Sequence, residues 1–320
     1  MVAIQRIREE LAGIQRLGPG LVGIFVGGTS GIGESTAREF VRHAVDPRLY
    51  VIGRNKTQAA ALESQFRSLN PTCDMKFILC DVSELQVSTR SVMLAGNATN
   101  RTSDTADNSK ETSEGLDRKM ALDFYTRLRF TENLLPQLRR AASPSGVDTS
   151  NNPSPVSHVV TVLGGGNEQP VNVDDLSLKN NYTLNTATQH AVTMNTLAFD
   201  HLASKPENAG ISFVHTSPGM VKTQGARELG TLFYIGVSIF AFLFKPLTVP
   251  VGECGERHLW AGTNKSLQGG AVHLINKNSE IIRNLKVLKD MKDRGVAEKV
   301  WEHTRTVFTK VCTEGGKYEA

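Results

Sequence analysis

The chain has 320 residues, 39% of them hydrophobic and 21% charged, with a formal net charge of +4. That apolar share suits a sizeable core and is far too high for a disordered chain. So small a charge, with no Lys/Arg cluster, gives nucleic-acid binding no support. The four cysteines, Cys73, Cys80, Cys254 and Cys312, form no Cys-x-x-Cys pair and no Cys/His spacing suited to zinc. No metal site is expected, and the thiols read as free groups in a reducing, cytoplasmic setting.

Residues 1–20 carry Arg6, Arg8, Glu9 and Glu10, which interrupt any signal-like apolar stretch. Ile4, Ile7, Leu11 and Ile14 recur at helical spacing, predicting a short amphipathic helix that stops near Gly18. From Leu21 the pattern alternates: strand 21–27, helix 32–44, strand 48–54, helix 56–69, strand 75–80. Strands alternating with helices predict βαβ units with right-handed crossovers and a parallel sheet. Next come a short apolar run at 92–95, read as a fourth strand, a polar surface loop at 97–113 and a long helix at 115–140. A crossover needs about ten residues or more, and the stretch from Asp81 to Val92 barely supplies them, so a deletion is suspected there. After a loop at 144–155 come strand 158–163, helix 183–203, strands 211–216 and 271–275, and a closing amphipathic helix at 296–311. The expectation is an α/β fold: one doubly wound, Rossmann-like parallel-sheet domain over 21–280, with a helical extension at 281–320.

Val26-Gly27-Gly28-Thr29-Ser30-Gly31-Ile32-Gly33 follows a predicted strand and opens a helix, the setting in which a glycine pattern implies a dinucleotide. Gly27 permits the tight turn, Gly31 lets the backbone approach a pyrophosphate, and Gly33 lets the helix pack close to the sheet. The helix N-terminus then offers N–H groups and partial positive charge to the phosphates. The second strand ends in Gly53-Arg54-Asn55, where an acidic residue would bind the ribose of NAD. Arg54 suits a 2′-phosphate instead, so NADP(H) is the expected cofactor.

The Gly-x-x-x-Gly-x-Gly spacing resembles the short-chain dehydrogenase/reductase family. Asp81-Val82 resembles its adenine-contacting pair, and Pro218-Gly219-Met220-Val221-Lys222-Thr223 its stretch along the nicotinamide. Residues 111–120 and 251–260, with the glycine turn, resemble a subgroup of fungal secondary-metabolite pathways. The resemblance implies a cofactor site of Gly27, Thr29, Ser30, Gly31, Ile32, Gly33, Arg54, Asn55, Asp81, Val82, Gly96, Pro218, Gly219, Val221 and Thr223.

It also implies a catalytic Tyr, with a Lys four residues later, a Ser that orients the substrate carbonyl and an Asn in the proton relay. Tyr182 stands where the Tyr is expected, although counting back from the helix reaches Thr183. Thr186 stands where the Lys would be, Leu163-Gly164-Gly165 where the Ser would be, and Asp123 where the Asn would be. Tyr182, Thr186 and His190 would share one helical stripe, with His190 as a substitute acid or base; packing roles for Tyr182 and His190 are the alternatives. Without a lysine the Tyr182 phenol is expected to stay near about 10, which suits proton donation. Residues 229–244 carry no charge but fall short of the roughly 20 residues of a membrane span. They read as part of an apolar lid insertion at 220–250 over a bulky apolar small-molecule substrate, with peripheral membrane contact as an alternative. The function expected is NADP(H)-dependent ketone reduction or alcohol oxidation on an apolar secondary-metabolite intermediate. A cofactor-binding but non-redox isomerase or cyclase, or an inactive member, is the alternative; homo-oligomer formation stays open.

Overall fold

The computed structural model describes residues 2–88, 111–143, 157–221, 248–267, 269–283 and 285–319. The expected strand at 92–95, Gly96, most of the 97–113 loop, the 144–155 loop, Thr223 and the 229–244 lid lie outside the described residues.

Strands β1 (Val22–Val26), β2 (Arg48–Gly53) and β3 (Asp74–Leu79) form a parallel sheet in that order. They are linked by α2 (Gly31–His43) and α3 (Lys56–Leu69) and preceded by α1 (Ile4–Ala12). In a second sheet β4 (His158–Val162), β5 (Ser212–Thr216) and β6 (Val272–Ile275) run parallel, and the short β7 (Ile281–Ile282) adds antiparallel to β6. Helix α4 runs from Arg118–Met120 through a π-helical turn, Ala121–Tyr125, into Thr126–Ala142. Then follow α5 (Leu184–Ala203), α6 (Val251–Thr263), α7 (Lys286–Asp293) and α8 (Val296–Phe308). The chain is an α/β domain of parallel sheets flanked by helices.

Two cores result. One joins α4, α5 and α8 through residues such as Phe124, Leu128, Met194, Phe199, Val300 and Phe308, against Phe213 of β5. The other joins α1, α2, α3 and α6 through Ile7, Leu11, Phe40, Phe66 and Trp260. Helix α6 ties the halves together. Gly255 makes this close approach feasible, since a Cβ there would lie 2.3 Å from Ser35 Oγ of α2. Ser35 Oγ donates to the Val251 carbonyl at 2.9 Å across the same contact.

Arg48 N–H bonds the Leu21 carbonyl and Gly27 N–H the Ile52 carbonyl, so backbone groups of the alternate residues Val22, Ile24 and Val26 face away from β2. Those side chains are 58%, 36% and 41% exposed, and among the described residues no strand pairs with that edge. On β4, Arg127 of α4 donates to the Val162 carbonyl at 2.8 Å and to Thr161 Oγ1 at 2.9 Å. No helix among the described residues is long and apolar enough to cross a membrane.

Candidate active site

The glycine turn is built as its spacing requires. Gly27 and Gly31 have φ of +74° and +63°, the left-handed region that favours glycine. A Cβ on Gly33 would lie 2.6 Å from the Gly27 carbonyl oxygen, so helix and turn touch there. Ser30 is the N-cap of α2, and its side chain does not cap the helix. Thr29 covers the end of β2, since a Cβ on Gly53 would meet its side chain at 3.1 Å. Arg54 follows at once and is exposed. The Asn55 side chain caps α3 by accepting Gln58 N–H at 2.9 Å.

Asp81 folds back on itself, its carboxylate accepting Ser83 N–H at 3.0 Å and Ser83 O–H at 2.7 Å, with Arg118 of α4 at 3.8 Å. The Val82 carbonyl accepts Thr126 O–H at 2.5 Å, so Asp81-Val82 is fixed to α4. Beyond β5, Gly219 turns with φ +70°, Met220 bridges in parallel to Thr248, and Val221 is half-buried. A small pocket behind Pro218, lined by Thr216, Cys254, Arg257, His258 and Lys277, lies on the α6 side of this stretch. Burial pushes the Cys254 thiol there up to about 12, so it is inert as a nucleophile. No two cysteines are joined in a disulfide.

Tyr182 is 37% exposed and precedes α5, whose N-cap is Thr183. The expected stripe of Tyr182, Thr186 and His190 on one helix therefore does not form. Thr183 and Thr186 make a reciprocal capping box, Thr186 N–H to Thr183 Oγ1 at 3.0 Å and Thr183 N–H to Thr186 Oγ1 at 2.8 Å. A cap, and not a lysine, occupies the fourth position after Tyr182 because this helix starts there. His190 is buried, and its Nε2 accepts Asn172 N–H at 3.1 Å, which makes it a tie between loop and helix. The Tyr182 phenol does not stay at its ordinary value. Burial first, then the charge of Asp117, its hydrogen bond and the charge of Asp123, hold it above the usual 10.0.

The position expected for the family Ser is closed by packing. A Cβ would meet Val192 Cγ2 at 2.8 Å from Gly164, the His215 carbonyl oxygen at 2.1 Å from Gly165, and Ile282 Cδ1 at 2.1 Å from Gly166. Below it lies a buried chain that sequence reasoning missed. Gly164 N–H donates to His215 Nε2 at 3.2 Å, Thr196 Oγ1 lies 2.8 Å from His215 Nδ1, and the Thr196 hydroxyl donates to Glu168 at 2.7 Å. Burial and the nearby Arg127 charge push His215 down to about 3, so it is neutral. Asp123, at the expected Asn position, pairs with Lys119 at 2.7 Å and with Arg127 at 3.6 Å. Its backbone carbonyl accepts Asn195 Nδ2 of α5 at 2.7 Å. The spacing of Lys119, Asp123 and Arg127, four residues apart on one helix face, is the sequence signal that could have drawn attention to them.

No family model matches the chain. Curated relatives match nearly all of it. Oxidoreductase AN1596 of Emericella nidulans is 31% identical over 344 positions, covering 96% of this chain and 98% of the relative. The NmrA-like family domain-containing oxidoreductase notO of an Aspergillus species is 31% identical over 360 positions, covering 100% and 99%. That alignment is longer than the chain, so the relative carries positions with no counterpart here. The short-chain dehydrogenase/reductase SAT2 of Stachybotrys chartarum is 29% identical and covers 78% of this chain and 72% of its own. Among solved structures, the NADPH-bound carbonyl reductase of chicken fatty liver superposes with a TM-score of 0.51 at 18% identity, over 83% of this chain and 99% of that one. The reductase/Diels-Alderase MalC of Malbranchea aurantiaca superposes with a TM-score of 0.53 at 14% identity, over 83% and 98%. With its glycine turn at the head of α2 and its sheets in parallel order, the chain belongs to a divergent, short-chain dehydrogenase/reductase-like group of fungal oxidoreductases.

Proposed function

We propose that this oxidoreductase uses NADP(H) to reduce a carbonyl on a bulky, apolar small molecule of secondary metabolism. The observation that carries the reading is the Gly27–Gly33 turn, open at the N-terminus of α2, with exposed Arg54 at the end of the adjoining strand. The residues fit a dinucleotide: Gly27, Gly31 and the first N–H groups of α2 would hold the pyrophosphate, and Arg54 a 2′-phosphate. NADP(H), where bound, supplies the hydride. Tyr182 supplies the proton to the substrate oxygen, and a phenol held above its ordinary value favours donation over abstraction. Tyr182, Leu184 and Met220 are exposed apolar side chains of the kind a greasy substrate would cover. A place in secondary metabolism is supported by the fungal relatives.

NADPH binds more tightly than NADH on this reading, and Arg54→Asp reverses or abolishes the preference in a fluorescence titration of both nucleotides. Equal dissociation constants in the wild type would overturn the NADP(H) assignment. With a panel of apolar ketones, NADPH absorbance falls on turnover, and Tyr182→Phe slows it by about 10²–10⁴-fold. A second reading, a non-redox isomerase or cyclase that keeps the nucleotide, is favoured by one observation: packing closes Gly164 and Gly165 in the expected Ser position. It is supported if substrate is converted while NADPH absorbance stays constant.

A further inference from the structure

Residues 111–117, within the stretch that resembles the fungal subgroup, form a tight turn. Glu111 and Asp117 bridge antiparallel at its base, and Thr112 N–H bonds the Leu116 carbonyl at 2.7 Å. At its tip Gly115 has a φ of +78°, which suits glycine. The tip carries Glu114, which is only 5% exposed. A carboxylate so buried needs strong partners, and here they come from another segment.

Glu114 Oε2 accepts Leu85 N–H at 2.6 Å, and its Oε1 accepts Gln86 N–H at 2.8 Å. Leu85 opens a helical turn, so these N–H groups have no acceptor within the helix. A carboxylate also suits the positive end of a helix. The clasp is reciprocal, because Glu84 accepts Ser113 N–H at 3.3 Å and Ser113 O–H at 2.7 Å. Residues after α8 close it from behind. Tyr318 N–H bonds the Glu114 carbonyl at 2.8 Å, and a Cβ on Gly115 would lie 2.7 Å from the Tyr318 carbonyl oxygen.

The clasp holds the far end of the loop that leaves β3. Cys80 N–H bonds the Gly53 carbonyl at 2.9 Å, so Asp81 leaves the sheet beside Arg54. That is the carboxyl end of parallel strands, where nucleotides bind. Thr126 O–H fixes the middle of the loop at the Val82 carbonyl, and Glu114 fixes its end at Leu85 and Gln86.

We propose that Glu114 is a positioning residue for the nucleotide: its carboxylate holds the Asp81–Glu84 loop as a wall of the adenine half of the site. The inference rests on the nucleotide site read above at the Gly27–Gly33 turn and Arg54. The Pro218–Val221 stretch expected along the nicotinamide follows β5 in the second sheet, so the two halves of a dinucleotide can be probed separately.

The test titrates those halves against the intact chain, adenosine 2′,5′-bisphosphate by calorimetry and nicotinamide mononucleotide by saturation-transfer NMR. Glu114→Gln keeps the side-chain size but turns an amide N–H₂ towards the N–H groups of Leu85 and Gln86. It weakens adenosine 2′,5′-bisphosphate by about tenfold, the scale of one charge-assisted hydrogen bond, and leaves nicotinamide mononucleotide unchanged. Loss of a negative charge by itself would favour so anionic a probe, so the weakening reads the position of the loop. Amide exchange at Leu85 and Gln86 quickens in the same variant. Ser113→Ala, on the exposed side of the clasp, weakens the same probe in the same direction and carries the test if Glu114→Gln does not fold. Unchanged affinity for adenosine 2′,5′-bisphosphate in the folded variant overturns the inference. An equal loss of both probes also overturns it, because that marks a role in the fold alone. A wild-type protein that does not bind adenosine 2′,5′-bisphosphate overturns the nucleotide reading beneath it instead, so the two failures are distinguishable.

Discussion

At the scale of single residues, the departures from the family's catalytic pattern have local physical causes. The backbone of Gly164–Gly166 lies against Val192, the His215 carbonyl and Ile282, and its N–H groups are held by His215 and Glu168. A hydroxyl cannot be restored there by substitution alone. Gly165→Ser places a Cβ against a backbone oxygen at 2.1 Å, and overpacking of that kind costs about 1–3 kcal/mol. Gly164→Ser meets only the tip of Val192 at 2.8 Å, which Val192→Ala removes. Urea unfolding of Gly165→Ser should therefore show the full loss, with no gain in turnover. Gly164→Ser combined with Val192→Ala should lie closer to the wild type. Equal stability of Gly165→Ser and wild type would show that the turn is not packed in this way.

Among the elements, those with strong periodicity were legible. The runs at 21–27, 48–54, 158–163 and 211–216 contain β1, β2, β4 and β5 with ends displaced by at most one residue, because apolar runs bounded by turns are set by the sheet itself. The glycine turn was legible too, since its spacing is dictated by backbone geometry at Gly27, Gly31 and Gly33. Helix α6 was not predicted as an element. Its Gly252, Gly255 and Gly262 weaken helical propensity, and Gly255 is required by contact with α2, a tertiary demand with no local signature. The strand expected at 92–95 lies outside the described residues, and among the described residues no strand pairs with the outer edge of β1. That edge can be tested amide by amide. Val22, Ile24 and Val26 direct their N–H groups away from β2, whereas Gly23, Phe25 and Gly27 bond to it. Hydrogen exchange should be markedly faster at the first set than at the second, alternating along five consecutive positions from Val22 to Val26. Uniform protection through β1 would mean that its outer edge is paired.

For the whole molecule, pH dependence follows from histidines buried in both cores. Burial pushes His158 on β4, His258 on α6 and His303 on α8 down to about 4, and His215 on β5 to about 3, from an ordinary 6.5. These groups are neutral in the native state: His303 Nε2, for example, lies 2.7 Å from the buried Tyr125 hydroxyl. Their folded values lie below the unfolded value, so between 6.5 and about 4 the unfolded chain binds protons that the native chain does not. Stability is then fully present above pH 6.5 and declines as pH falls through that window, by on the order of 1 kcal/mol per histidine per pH unit. Glu114 and Glu168 act in the opposite sense, because burial raises them and the native state takes up their protons first. Both carboxylates also accept backbone N–H groups, which limits their rise, so the four histidines dominate. The urea midpoint should hold steady from pH 8 to 7 and fall on acidification towards pH 4, at a constant slope against denaturant, which marks a change in stability and not in exposed surface. His303→Gln, which can still bond the Tyr125 hydroxyl but does not titrate, should flatten part of the fall. A midpoint that stays level down to pH 4 would show that these histidines are already charged in the folded protein.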